Sequence, residues 1–179
     1  YEVILAAHTY EKETEKYEDR NILLVSNSIL ISNCQELRKL PERYYDEKNE
    51  SIAEYLFFLK DNKKTLMQTS SFFFNKEVGI SYPFNKKLKL HQDYDWIIRV
   101  DRSNEVLIKQ TTYDTSYYVI DVNSNSISKK SRATDSLNWA VSMLSDEKKE
   151  VIFGFLKMNT LWFSRVVNLS SIIPIIKNI

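Results

Sequence analysis

His91-Gln92-Asp93-Tyr94-Asp95-Trp96-Ile97-Ile98-Arg99 is the stretch that decides how this chain is read, because it sets two carboxylates at the start of an amphipathic helix. The spacing predicts a helix from Leu90 to about Asp101, with Leu90, Tyr94, Ile97 and Ile98 recurring along one apolar stripe. Asp95 and Arg99 stand four residues apart in the orientation that favours an ion pair, worth roughly 0.3 kcal/mol to the helix. Asp93 lies near the helix start, where backbone N–H groups favour a charged carboxylate. It can be an N-cap there or a proton acceptor.

Working upstream, residues 1–8 read as a short buried strand, and the charged run 11–20 as a solvated loop or helix face. Ile22-Leu23-Leu24-Val25 is a second apolar run. After Ser26-Asn27-Ser28, the segment Ile29-Leu30-Ile31 fits strand or helix equally well. Residues 38–49 read as a loop, and Ser51 opens a helix with Ile52, Tyr55, Leu56 and Leu59 on one face. Residues 61–64 break it, 66–74 read as a strand, and 79–85 as a turn around Pro83. Downstream, Val106-Leu107-Ile108 and Tyr117-Tyr118-Val119-Ile120 predict two neighbouring strands. A polar loop over 121–132 precedes two amphipathic helices, 134–144 and 146–159, the second with Ser145 as its N-cap. Strands mixed with helices give an α/β class.

Composition narrows the function classes. The chain has 179 residues, 43% of them hydrophobic, which is enough for a sizeable core in one domain or a large part of one. Lys and Arg number 25 against 24 Asp and Glu, so no global basic field recruits nucleic acid. Only Gly79 and Gly154 occur, where an average chain has roughly 7% glycine. Neither a P-loop nor a dinucleotide-binding fingerprint can be built, since both need glycine for close backbone approach to phosphate. One cysteine, Cys34, excludes an internal disulfide, and with two histidines it cannot make a usual zinc site. The lone cysteine and the absence of a signal-peptide pattern or an uninterrupted apolar run of transmembrane length lead us to expect a cytoplasmic protein. Residues 161–176 are the most apolar run. They would pack on protein or, with Trp162, Phe163 and residues 172–176, touch the inner face of a membrane.

In order and spacing, Thr69-Ser70-Ser71, Phe84-Asn85, Gln92-Asp93-Tyr94-Asp95 and Ile98-Arg99 resemble the acceptor-side half of a family-2 inverting glycosyltransferase of the GT-A fold. The resemblance covers roughly residues 1–160. It implies that residues 1–132 are part of a GT-A mixed sheet with flanking helices and that residues 133–179 are a C-terminal helical extension. It also implies transfer of a sugar from a nucleotide-sugar donor to a glycan or lipid-linked acceptor, of the kind used in bacterial surface polysaccharide synthesis, with Asp93 as general base. His91 and Gln92 replace the family's more usual Glu before the Asp.

The same resemblance makes Ser70, Ser71, His91, Gln92 and Trp96 candidates to bind substrate, with Tyr82 and Tyr94 as further stacking candidates; the alternatives are that the aromatics are core residues and that the serines satisfy backbone groups. Lys129, Lys130 and Arg132 would meet the diphosphate in a closing loop, or else form a solvated charge run. Mg²⁺ or Mn²⁺ is expected of the complete enzyme, with its ligands and the nucleotide-binding half outside this segment, so the segment alone is expected to be inactive. The alternative is a non-catalytic protein-interaction module that uses the aromatic strand 72–74 and the apolar tail.

Overall fold

The computed structural model describes residues 2–17, 20–32, 35–58, 60–119 and 133–166, and within these the side chains of 2–6, 133 and 160–166 are not described. The architecture is mixed α/β, a four-stranded sheet with helices. Its central strand, β1 (Asn21–Ser32), is a single element in which Ile22 to Leu30 are all buried. The β-branched and aliphatic residues on both sides of Ser26-Asn27-Ser28 favour a strand covered on both faces. That polar triplet does not break it, because each member finds a partner. Ser28 Oγ shares a hydrogen bond with Ser116 Oγ at 2.6 Å, Asn27 Nδ2 donates to the Thr112 carbonyl at 3.0 Å, and Ser26 Oγ bonds Thr115 Oγ1.

One edge of β1 is shared by two antiparallel partners, β3 (Phe72–Phe74) along its first half and β2 (Gln35–Leu40) along its second. Along the other edge runs β4 (Val106–Val119), parallel to β1. The sequence predicts two separate strands here because Thr111 to Ser116 is polar. The chain instead stays in the sheet by bulging: β1 advances from Val25 to Ser28 while β4 advances from Gln110 to Ser116.

Of residues 1–8, expected as a strand, the described residues 2–8 belong to helix α1 (Glu2–Lys16), which packs against β4. The Ala, Glu and Lys that follow the short apolar run are strong helix formers, and they carry the helix through the charged stretch. α2 (Ile52–Phe57) starts where expected, at a capping box in which Ser51 and Glu54 each cap the other's backbone N–H. Residues 66–68 form no regular element and lead into a single 3₁₀ turn, Thr69–Ser71, so the strand over 66–74 shrinks to β3. The turn expected at Gly79 is helix α3 (Lys76–Ser81), capped by Asn75 Oδ1 accepting from the Val78 N–H at 3.0 Å.

The quoted stretch forms α4 (Gln92–Ser103). α5 (Ala133–Leu144) and α6 (Lys149–Val166) come next among the described residues, with α6 opening three residues later than the Ser145 cap predicts. Both helices share one hydrophobic core with the rest of the fold: Leu137, Trp139, Leu144, Val151 and Phe155 cluster with Phe57, Trp96, Ile97 and Val106. α6 can approach because of Gly154, where an added Cβ would sit 1.7 Å from the Phe57 carbonyl oxygen. Glycine inside a helix ordinarily costs about 1 kcal/mol against alanine. Here that penalty is offset by the contact it permits, so Gly154→Ala should destabilise the fold by about 2 kcal/mol or more despite its better helix propensity. A drop in the urea midpoint checks this, and a rise would show that α6 does not depend on the close approach.

Candidate functional site

Successive helical residues are rotated by about 100°, so Asp93 and Asp95 project about 200° apart around α4. Asp95 points inward and is 4% exposed. Its Oδ2 accepts from Arg99 Nε at 2.9 Å, as the spacing predicts, and its Oδ1 accepts from Trp139 Nε1 at 3.3 Å. Both oxygens are thereby committed to holding α4 against α5. Asp93 lies on the open side and reaches across to the 3₁₀ turn before β3. Its Oδ1 accepts from Thr69 Oγ1 at 2.6 Å and its Oδ2 from the Thr69 backbone N–H at 3.2 Å.

The residue at the N-cap position of α4 is His91, not Asp93. Its backbone is left-handed, with φ of 60°, and its side chain makes no cap bond. The ring is instead stacked on Tyr94 and tilted against Trp139 at 4.7 Å between centroids, with Nε2 bonded to Ser136 Oγ. Burial in this aromatic nest pushes its pKa down to about 4 from an ordinary 6.5, so the ring is neutral at neutral pH.

Asp93 borders a cleft of about 600 Å³, a size suited to a small ligand. Residues 66–68 form one wall and residues 89–94 another. Tyr118 at the end of β4 and Asn159 on α6 close it. Of the residues proposed from sequence, the structure brings Asp93, His91 and Gln92 to this cleft. Ser70 is exposed beside Thr69, whereas Ser71 is buried and its Oγ donates to the Gln68 carbonyl at 2.8 Å.

Trp96, proposed to stack on a sugar, is 0% exposed. Phe72 and Phe84 stack on its ring and Phe74 lies tilted against it, while its Nε1 donates to the Tyr82 carbonyl. It is a core residue with no free face for a ligand. The same packing engages one face of Phe72 and Phe74, members of the aromatic strand proposed as a docking surface, and the strand remains half-buried. Of the further stacking candidates, Tyr94 borders the cleft, and Tyr82 is engaged through its hydroxyl with Glu105. Lys129, Lys130 and Arg132, like residues 167–179 of the apolar tail, lie outside the described residues. Thr69, Gln68, Tyr118 and Asn159 were missed as single site residues. Only the Thr-Ser-Ser motif hinted at the first, and no local pattern marks the others.

Among the described residues no three His, Cys, Asp or Glu side chains gather to hold a metal ion, and no helix is long and apolar enough to cross a membrane. Asp93-Tyr94-Asp95 has the letters of an Asp-x-Asp motif, but its two carboxylates face opposite sides of α4. They do not fit a shared ion. No family model, curated protein or solved structure matches the chain.

The buried neutral His91 makes stability depend on pH. Between about pH 6.5 and about pH 4 an unfolded His91 binds a proton that the folded one refuses. Its contribution is therefore fully present above that window and is lost as pH falls through it. His91→Asn, which tolerates the left-handed backbone, should lose less stability than the wild type between about pH 7 and about pH 5. Parallel denaturant titrations with equal losses would contradict the assignment.

Proposed function

We propose that this chain is the acceptor-side part of an inverting glycosyltransferase of the family-2, GT-A type. It would pass a sugar from a nucleotide-sugar donor to a saccharide or lipid-linked acceptor, with Asp93 as general base. The observation that carries this reading is the division of labour on α4: Asp95 is consumed by Arg99 and Trp139, while Asp93 stands at an open cleft with its orientation held by Thr69.

A single displacement asks the acceptor hydroxyl to attack the anomeric carbon from the face opposite the leaving diphosphate, and a carboxylate takes the hydroxyl proton as the bond forms. Asp is a weak base and the hydroxyl a weak acid, so the proton moves late. Most of the acceleration then comes from holding the reactants in line. Asp93 suits that task, since each oxygen accepts one hydrogen bond from Thr69 and keeps lone-pair capacity for the acceptor. Its position in the first turn of α4 sets the carboxylate where the helix N–H groups favour negative charge. Neutral His91 beside it adds no competing positive charge. The reading assigns no metal ligand to the described residues.

In the complete enzyme, Asp93→Asn should lower turnover by about 10²–10⁴-fold while donor binding, followed by nucleotide-sugar titration, stays near wild type. Thr69→Val keeps the backbone N–H but loses the hydroxyl bond, and should lower kcat by about tenfold with little change in KM, whereas Thr69→Ser restores most of it. Undiminished turnover in Asp93→Asn would remove the base assignment. Full activity in Thr69→Val alone would remove only the clasp.

A further inference from the structure

A second cavity, of about 370 Å³, opens where the end of β2, residues 62–65 and α6 meet, and it shares no lining residue with the Asp93 cleft. Leu40, which is buried, and Met158, which is 44% exposed, give it apolar walls. Lys64 borders it from the loop and Lys157 from α6, so cations from two separated segments of chain meet at one apolar space. Asn62 and Thr65 complete the lining.

No carboxylate belongs to that lining, and neither lysine ammonium has an ion pair or hydrogen-bond partner among the described residues. Glu42, the acid of the flanking loop, is engaged elsewhere: it accepts from the Lys64 backbone N–H at 2.8 Å and pairs with Arg38 at 3.5 Å. Thr65 spends its hydroxyl proton on the Leu56 carbonyl at 3.0 Å. The charge carried by the lining is therefore positive. A single lysine lying along apolar surface with its ammonium in water is ordinary. Two of them converging on a space large enough for a small ligand select for both properties at once, since the apolar walls favour an alkyl group and the ammonium groups favour an anion attached to it. A bare inorganic anion would gain only exposed ion pairs, which are weak in water, and an alkyl cation would be repelled.

We infer that this cavity binds an anionic amphiphile, a single alkyl chain ending in a carboxylate, sulfate or phosphate. Lys64 and Lys157 hold the head and the chain lies on Leu40 and Met158. A volume near the small end of the range for ligand pockets suits one such chain, taken one molecule at a time. The site is independent of the Asp93 cleft and of the reaction proposed there.

The test titrates the full chain with octyl sulfate, kept below its micelle concentration, and follows backbone amides by ¹H–¹⁵N NMR. Amides of residues 62–65 and 157–158 should shift saturably, with an affinity that falls as salt is raised. Inorganic sulfate, which lacks the chain, and octyltrimethylammonium, which reverses the charge, should each shift them far less. Lys64→Gln combined with Lys157→Gln should weaken octyl sulfate binding by about tenfold, the loss of two exposed ion pairs. An otherwise unchanged spectrum confirms that the double variant is folded. An equal response to inorganic sulfate or to octyltrimethylammonium, or wild-type affinity in the double variant, would overturn the proposal. So would pelleting with phosphatidylglycerol vesicles without a saturable response to octyl sulfate, which would assign the lysines to a bilayer surface.

Discussion

The buried carboxylate of Asp95 is the constraint on which the site depends. It accepts from Arg99 within its own helix and from Trp139 on α5, and so fixes both the rotation of α4 and its distance from the C-terminal helices. A buried charge is tolerated only when its hydrogen bonds are made, so α4 cannot turn about its axis without leaving Asp95 unpaired. With that rotation fixed, Asp93 has one place to go, which is the cleft. Trp96, the next residue along, is driven into the aromatic cluster of Phe72, Phe74 and Phe84 by the same rotation.

Helices α5 and α6 work as part of this arrangement. Ser136 bonds His91 at the mouth of α4, Trp139 bonds Asp95 one turn further in, and Phe155 packs edge-on against both His91 and Phe57. Gly154 brings α6 close enough for these contacts. The cleft is consequently walled by residues from four separated segments of chain, and any of these contacts can alter its shape without touching a ligand.

Charge is distributed with similar economy. The aromatic nest keeps His91 neutral, the buried Asp95 is matched by Arg99, and the α4 carboxylate left at the cleft is Asp93. Orientation comes from a side chain and a backbone group of the same residue, Thr69, so Asp93 is held by one rigid turn without the slack of two flexible partners.

Local pattern made several features legible. The helical stripe placed α4, the i,i+4 spacing paired Asp95 with Arg99, and Ser51 announced the start of α2, because each depends on residues within a turn of one another. The same locality misled elsewhere. A short apolar run at residues 1–8 passed for a strand, the polar stretch of β4 passed for a break, and local pattern left Trp96 open between a core residue and a stacking platform. By itself the sequence determined that α4 exists, that its two carboxylates part ways, and which motifs invite a glycosyltransferase reading. Only the tertiary structure decided that Thr69 clasps Asp93, that Trp96 is core, and that Asn159 borders the cleft. These contacts join residues far apart in sequence, and close packing, which leaves no local signature, brings them together.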